Sequence, residues 1–485
     1  MELNSETCYQ AILTHDSRFD GVFFVGVAST GIYCRTVCTA KTPRKENCTY
    51  HRSAAAAERA GFRPCLRCRP ELAPGTALVD AAGRLARAAA GRIEDGALID
   101  GGVEQLAADL GVTGRHLRRV IESEFGVTPV ELAQTSRLLL AKRLLTDTDL
   151  PVIEVAFASG FSSLRRFNAL FKERYRLNPT GLRKSRAVAR EQDTLVCDVA
   201  YCPPLDWPAL LAFLNGHISR GLDTVQEGRY LRTVAIDKHR GWLAVAPSPA
   251  KNALRVEVSV SLAPVLRPVL AAVKRAFDLA AQPLQIASRL GQLAEARPGL
   301  RIPGTFSAFD LAVRAIIGQQ ISVVGANTLA GRYLRAFGEP IATPYDALTH
   351  LSPTPEQIAR LAPEELSANG IIKARANAIV HLARAVAENR ISLQPGTDVP
   401  RAMVQLREIP GIGEWTANYV AMRALGWPDA FLHTDLAIRK ALGETDPKRI
   451  LAIAEDWRPW RAYAAMHLWK SLENTAEKGS NKVQQ

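Results

Sequence analysis

The 485-residue chain has no apolar run near the length of about 18 residues that suggests a membrane-spanning helix. Its start, MELNSETCYQ, lacks the basic and apolar regions of a secretory signal, so a cytoplasmic, nucleoid-associated protein with no membrane partner is expected. Acidic residues are in deficit: 48 Asp and Glu face 61 Lys and Arg, a net charge of +13 that favours a polyanionic partner such as nucleic acid. Cysteine is sparse, and five of the eight (Cys34, Cys38, Cys48, Cys65, Cys68) crowd into one short segment. That excludes a disulfide framework spread along the chain and, in a reducing compartment, reads as metal-binding or catalytic sulfur. Aromatics make up only 7%, yet 47% hydrophobic residues exclude a disordered polymer. The length argues for several domains.

What is present changes character along the chain. A Cys- and Gly-rich segment runs to about Pro74, and a helical Arg- and Leu-rich region follows to about Arg190. From Thr194 to about Leu262 the stretches TLVCDVAY, RYLRTVAI, GWLAVAP and LRVEVSVSL alternate as half-buried strands do, with an apolar helix WPALLAFLNG between the first two. Beyond Ala263 the pattern is helical, punctuated by Pro and Gly, and ends in a polar tail. The expected architecture is multidomain and mainly α. A small zinc-bound α/β domain spans 1–78, a paired helix-turn-helix all-α domain 79–190, an α+β lobe 191–290 and an all-α domain 291–475, followed by a polar tail over 476–485.

The helical region repeats itself: LAADLGVTGRHLRRVIESEFGVTPVEL returns about 50 residues later as VAFASGFSSLRRFNALFKERYRLNPTGL. Leu117, Val120, Ile121, Phe125 and Pro129 match Phe167, Leu170, Phe171, Tyr175 and Pro179. Each copy reads as a short helix, a turn at Gly111 or Gly160, and a second helix with an apolar side and an Arg-bearing side. Arg115, His116, Arg118 and Arg119 in one copy, and Ser163, Arg165, Arg166 and Asn168 in the other, are expected to face a DNA groove and phosphates.

Cys34-x3-Cys38 and Cys65-x2-Cys68 are two short-spaced pairs, the pattern that presents four thiolates to one tetrahedral Zn2+. Such a site keeps two net negative charges, so one sulfur can remain nucleophilic without a base to deprotonate it. A purely structural zinc site fits the same spacing. Cys48 is expected to be a buried or free thiol.

TGIYCRTVCTAKTPRKENCTY followed by AAGFRPCLRCRPE resembles the zinc domain of Ada-type DNA methylphosphotriester repair proteins over residues 5 to 75. The resemblance implies that Cys34 accepts a methyl group from a backbone phosphotriester, with Cys38, Cys65 and Cys68 as companion zinc ligands. Methylation would then remove one negative charge and strengthen DNA binding. The repeated unit resembles AraC-type DNA-binding domains, which implies promoter DNA, and RNA polymerase, as partners. The Pro-Cys-His-Arg active site of full Ada proteins is absent.

Ile409-Pro410-Gly411-Ile412-Gly413 between apolar helices reads as a helix-hairpin-helix turn, where Gly411 and Gly413 let backbone N–H groups meet a DNA phosphate. Asp435 follows in AFLHTDLAIRKAL. Read by itself, it is a helix N-cap. RIPGTFSAFDLAVRAIIGQQIS, PGIGEWTANYVAMRALGWPDAFLHTD and DWRPWRAYAAMHLWK resemble AlkA-type 3-methyladenine DNA glycosylases of the helix-hairpin-helix superfamily, over residues 195 to about 475. The resemblance implies alkylated double-stranded DNA as substrate, Asp435 as the catalytic carboxylate, and a base pocket of Trp415, Tyr419 and Trp469. Bifunctional relatives carry a Schiff-base Lys where Trp415 stands, so a glycosylase without lyase chemistry is implied. Gln320 falls where the family often inserts an apolar Leu into the gap left by a flipped nucleotide, with Ile321 as the alternative wedge. His433 stands where many members have Pro.

The chemistry follows independently. An N3- or N7-alkylated purine is cationic and leaves readily, its sugar becomes an oxocarbenium ion, and a carboxylate stabilises that charge. Aromatic faces attract a cationic ring by about 0.5 to 2 kcal/mol. The expectation is a monomer combining a methyl-accepting zinc sensor, a DNA-binding pair and a glycosylase. A regulator with a silent glycosylase half, and a glycosylase with a structural zinc, are compatible with the same residues.

Overall fold

The computed structural model describes residues 4–16, 19–70, 73, 81–148, 150–182, 194–249 and 251–481. The junctions expected near residues 78 and 190 fall outside the described residues. The chain divides into two compact units: Met1–Pro203 with Ala235–Lys274 and Leu279–Ala281, and Pro204–Val234 with Arg275–Asp278 and Gln282–Gln485.

The first unit opens with a four-stranded sheet in the order Cys48–His51, Phe24–Val27, Ile32–Cys34, Arg63–Pro64. Side chains alternate across a strand, so Val25 and Val27 join Cys8, Ala11 and Ile12 of helix Ser5–Leu13 on one face. Phe24 joins Tyr33 and Ala57 of helix Ala54–Arg59 on the other. The last pairing is parallel, Ile32 with Arg63 and Tyr33 with Pro64, so Cys34, the last residue of its strand, and Cys65, the residue after the other, come next in the same register.

Both helix-turn-helix copies form. Val103–Asp109 and Gly114–Phe125 make the first, Val152–Ala158 and Leu164–Tyr175 the second, and helix Pro129–Asp147 joins them. Gly111 and Gly160 hold the turns at φ +70° and +86°. Leu117 and Ile121 pack against Val103 and Leu106, whereas Phe167, Phe171 and Tyr175 form an edge-to-face ladder with centroids 5.4 and 4.9 Å apart. The connecting helix starts at a Thr128–Glu131 capping box. It also holds the zinc-domain sheet: Lys142 Nζ, 1% exposed, donates to the Cys65 carbonyl at 3.3 Å. Strands Thr194–Ala200, Ala253–Ser259 and His239–Pro247 pair antiparallel in this unit.

In the second unit, helix Trp207–Gly216 forms as expected, capped by Asp206. Asp223–Gln226 pairs antiparallel with residues 229–232, a strand that its polar sequence DTVQ does not announce. The helical core centres on Lys373–Ala387, whose Ala376, Ile379, Val380 and Ala383 pack among Ile316, Leu406, Ala417 and Val420. The expectation of an all-helical domain is corrected at one point. Glu339–Pro340 pairs with His350–Leu351, a two-residue ladder too short for any periodicity. Helix Arg461–Asn481 runs through the start of the expected polar tail, and residues 482–485 lie outside the described residues. No helix among the described residues is long and apolar enough to cross a membrane.

Candidate active sites

Asp435 is an N-cap, as its local sequence suggests, and also the meeting point of two indoles. Its Oδ1 accepts the N–H groups of Ala437 and Ile438, both at 3.0 Å, which starts helix Leu436–Leu442. Trp415 Nε1 donates to Oδ2 at 2.8 Å and Trp469 Nε1 to Oδ1 at 3.1 Å. Four N–H donors thus converge on a carboxyl group acting only as acceptor, the arrangement an ionised carboxylate suits. The cap fixes the side chain, and the indoles aim it along their edges.

Trp415, Tyr419 and Arg423 recur every four residues along helix Glu414–Arg423 and therefore share one face. Trp415 stacks on Tyr419 with centroids 5.0 Å apart and planes 11° from parallel. Trp469, from helix Arg461–Asn481, stacks with Phe213 at 6.3 Å, and Phe213 stacks with His217 at 4.3 Å. Burial, with the Arg423 charge as the next cause, pulls His217 down to about 4. The sequence reading missed Phe213, His217 and Arg423. WPALLAFLNG reads only as an apolar helix, but the four-residue spacing from Trp415 and Tyr419 could have flagged Arg423.

The hairpin lies between helices Val399–Arg407 and Glu414–Arg423. Gly411 sits at φ +93°, where a Cβ would also approach Ala378 Cβ to 3.1 Å, whereas a Cβ on Gly413 meets nothing within 4 Å. Gly411 is thus required by conformation, and Gly413 leaves the N-terminus of its helix uncrowded. Gln319 Nε2 donates to the Gly411 carbonyl and to Thr416 Oγ1, both at 3.0 Å, tying the 318–322 loop to the hairpin. Next to this anchor, Gln320 is exposed at φ +55° and Ile321 is 37% exposed. His433 lies 3.7 Å from Glu414 Oε2.

In the first unit the ligand-capable sulfurs of Cys34, Cys38, Cys65 and Cys68 all lie within 4.8 Å of one another. Cys38 and Cys65 are buried, Cys34 and Cys68 half-buried. Backbone N–H groups of Arg35 and Arg67 donate to Cys68 and Cys65 Sγ at 3.3 and 3.4 Å. Four soft donors at this spacing, hydrogen-bonded as thiolates are, fit zinc. Arg35 is locked by Asp20 and donates to the Cys68 carbonyl at 3.2 Å, bracing the turn after Cys34. Cys48 is a half-buried free thiol outside the cluster.

On the helix-turn-helix surface, Arg115, Arg118, Arg119, Arg165 and Arg166 are exposed. Arg118 is paired with Glu104 at 2.5 Å, and Arg119 shares a 3.0 Å hydrogen bond with His116. Ser163, exposed, caps its helix through the Arg166 N–H at 3.4 Å.

Four family models match in succession. They are the metal binding domain of Ada (7–71), a helix-turn-helix domain (106–185), the AlkA N-terminal domain (196–307) and the HhH-GPD superfamily of base excision DNA repair proteins (313–484). The probable bifunctional transcriptional activator/DNA repair enzyme AlkA of Mycobacterium tuberculosis is 38% identical, over 97% of each chain. DNA-3-methyladenine glycosylase 2 of Escherichia coli is 39% identical over 55% of this chain and 94% of its own. The bifunctional activator/repair enzyme AdaA of Bacillus subtilis is 30% identical over 38% of this chain and 84% of its own. With an Ada-type zinc domain and an AlkA-type glycosylase domain on one chain, and a relative matched from end to end, this chain belongs to the family of AlkA-type bifunctional transcriptional activator/DNA repair enzymes.

Proposed function

We propose that the chain excises N3- and N7-alkylated purines from double-stranded DNA as a monofunctional glycosylase and takes methyl groups from phosphotriesters onto Cys34. The observation that carries the first activity is the convergence of Trp415 and Trp469, two rings of the aromatic cluster, on Asp435. A purine turned out of the helix stacks on those rings, and the pair of electrons in its C1′–N bond leaves with it. The Asp435 carboxylate stabilises the positive sugar, and a water oxygen bonds to C1′ and gives up its proton. Trp415 has no amine, so no Schiff base forms and the backbone is not cut. Gln320 fills the vacated stack. Its backbone is held in a left-handed conformation that costs a non-glycine residue about 1 to 3 kcal/mol, and such strain concentrates at functional positions.

For the second activity, bound zinc would hold Cys34 as a thiolate near neutral pH. Its sulfur bonds to the methyl carbon as the O–CH3 bond breaks, leaving a phosphodiester anion. The loss of one negative charge favours promoter binding through the two helix-turn-helix copies. Contact with RNA polymerase and a monomeric state belong to the same reading.

The deciding experiment is release of 3-methyladenine and 7-methylguanine from methylated duplex DNA by the purified chain beside Asp435→Asn. Release by the parent alone supports the reading, and release by neither makes the glycosylase half a silent DNA-binding module. Mass analysis of the Cys34 peptide after exposure to methylated DNA tests the acceptor, since an unmodified peptide leaves zinc a structural role.

A further inference from the structure

Lys142 and Arg143 are neighbours on the linking helix Pro129–Asp147, both buried, and they serve two different parts of the first unit. Successive helix residues point about 100° apart, so adjacent side chains can reach separate partners. Lys142 donates to the carbonyl of Cys65, one of the four clustered cysteines. Arg143 donates to the Asp198 carbonyl at 2.7 Å, within strand Thr194–Ala200. Arg69, which follows Cys68, donates to Asp147 Oδ2 at 2.7 Å and to Thr146 Oγ1 at 3.1 Å, and Asp147 lies 3.9 Å from Arg143 Nε. A polar chain thus runs from Cys68 to the strand through Arg69, Asp147 and Arg143. A second chain leaves Cys34. Arg35, the next residue, is locked on the Asp20 carboxylate, and the Asp20 carbonyl accepts the thiol of Cys202, two residues past the strand, at 3.7 Å. Arg35, Asp20 and Cys202 are all buried. Further along the same unit, Arg267 donates to the Glu94 carbonyl at 2.7 Å and to Ser136 Oγ at 3.1 Å, and residues 260–265 lie against helix Val152–Ala158.

We propose that the four-cysteine turns and strand Thr194–Ala200 form one cooperative device: the turns, once ordered around zinc, hold the strand in place, and the strand in return helps the cysteines keep their metal. Four sulfurs within 4.8 Å of one another are held there by a shared ion, and the turns that carry them lose that constraint when it leaves. Arg35 and Arg69 each adjoin one of those cysteines, so loosened turns move both. Their links end on buried groups that water does not reach, where a lost partner costs more than the bond itself contributes. Such chains are made or broken together. The strand pairs with Ala253–Ser259 along its whole length, from Thr194 opposite Ser259 to Ala200 opposite Ala253, so what reaches it reaches the sheet. By linkage the influence is mutual, and a strand that responds to the metal also sets the affinity for it. Zinc is required for this coupling, whereas methyl transfer and base excision are not.

The test is hydrogen exchange of the full chain, read by mass spectrometry, with zinc bound and after removal by a chelator under reducing conditions. Amides of Thr194–Ala200 are expected to exchange at least tenfold faster without zinc and to recover when zinc is added back, while helix Lys373–Ala387 stays unchanged. Faster exchange confined to residues 20–70 overturns the proposal, and so does an equal rise in Lys373–Ala387, which would make the whole chain depend on zinc. The reciprocal arm is zinc loss from Arg143→Met to a competing chelator. A rate at least threefold above the parent is expected although Arg143 touches no cysteine, and an unchanged rate overturns the coupling. Should Arg143→Met not fold, Arg69→Gln with zinc bound decides. Faster exchange in Thr194–Ala200 supports the chain through Asp147, and a rate equal to the parent's excludes it.

Discussion

Thr135 Oγ1 donates to Glu58 Oε2 at 2.8 Å inside a closed junction between the zinc-domain helix Ala54–Arg59 and the helix that joins the two helix-turn-helix copies. Tyr33, the residue before Cys34, donates to Oε1 at 3.0 Å, and Tyr175, at the end of the second recognition helix, reaches the same oxygen at 3.5 Å. One carboxyl group thus gathers the strand that ends at Cys34, the linking helix and the second helix of the second helix-turn-helix copy. Around it, Ser53 Oγ and Arg59 donate to the carbonyls of Phe125 and Gly126 at 2.9 and 2.8 Å.

Burial pushes the Glu58 carboxyl up from 4.5 to about 7, against the pull of its hydroxyl partners and Arg174. The native state therefore holds a proton that the unfolded chain has released. This stabilisation, on the order of 3 kcal/mol, is complete below about pH 4.5 and is lost as pH rises through 7. Urea unfolding of the parent at pH 5.5 and 8 is expected to show lower stability at pH 8, and Glu58→Gln is expected to flatten that difference. A slope that persists in Glu58→Gln assigns the proton elsewhere.

At Asp435 the cap and the chemistry can be separated by substitution. Asn caps helices as well as Asp does, so Asp435→Asn is expected to keep the melting temperature while base release falls a hundredfold or more, on the order of an electrostatic stabiliser's contribution. Trp415→Phe keeps an aromatic ring to stack on Tyr419 and removes the N–H aimed at Oδ2, together with part of the indole's stacking area. A loss of about tenfold is expected, as for one hydrogen bond to a charged group. Measured release rates and thermal unfolding on the same preparations check both.

How much of this was legible in the sequence varies with the range of the signal. Cys34, Cys38, Cys65 and Cys68 were readable because thiolate pairs on short turns need few residues between them, and parallel register of two short strands completes the cluster. The helix-turn-helix repeat announced itself twice. Asp435, Trp415, Tyr419 and Trp469 were placed by resemblance, and the structure joins them by hydrogen bonds and stacking. Phe213 was not legible, because an aromatic in an apolar helix carries no mark of the partner it meets across the fold, here Trp469 more than 250 residues later. Glu58 was equally silent. Its partners Tyr33, Thr135 and Tyr175 come from three segments, and nothing local distinguishes it from a solvated helix glutamate.

Gln320 and Ile321 compete as the wedge, and the backbone separates them. Gln319 is anchored to the hairpin, so the left-handed Gln320 stands at the loop's exposed turn. Gln320→Gly accepts the same φ without a side chain and is expected to lower excision from duplex DNA about tenfold, while excision from single-stranded DNA, with no gap to fill, changes little. Ile321→Ala is expected to lose less. The reverse order in a duplex excision assay would make Ile321 the wedge.

Glu104 holds one of the arginines expected to meet DNA. Its carboxylate pairs with Arg118 at 2.5 Å, and that guanidinium keeps it below the usual carboxylate range. The pair is exposed and adds little stability, but Arg118 must exchange Glu104 for a phosphate when DNA binds. Glu104→Gln removes both the competing acceptor and a negative charge facing the phosphates. Its promoter affinity is expected to rise several-fold, because Arg118 no longer gives up an ion pair on binding DNA. Arg166→Ala is expected to weaken binding and flatten the salt slope by about one, whereas Arg118→Ala, which gives up a partly neutralised charge, should cost less. Affinities measured over a series of salt concentrations check all three, and none should alter base release from short methylated duplexes. Equal losses for Arg118→Ala and Arg166→Ala, with no gain for Glu104→Gln, would mean that the Glu104 pair opens without penalty and leaves the two recognition helices equivalent.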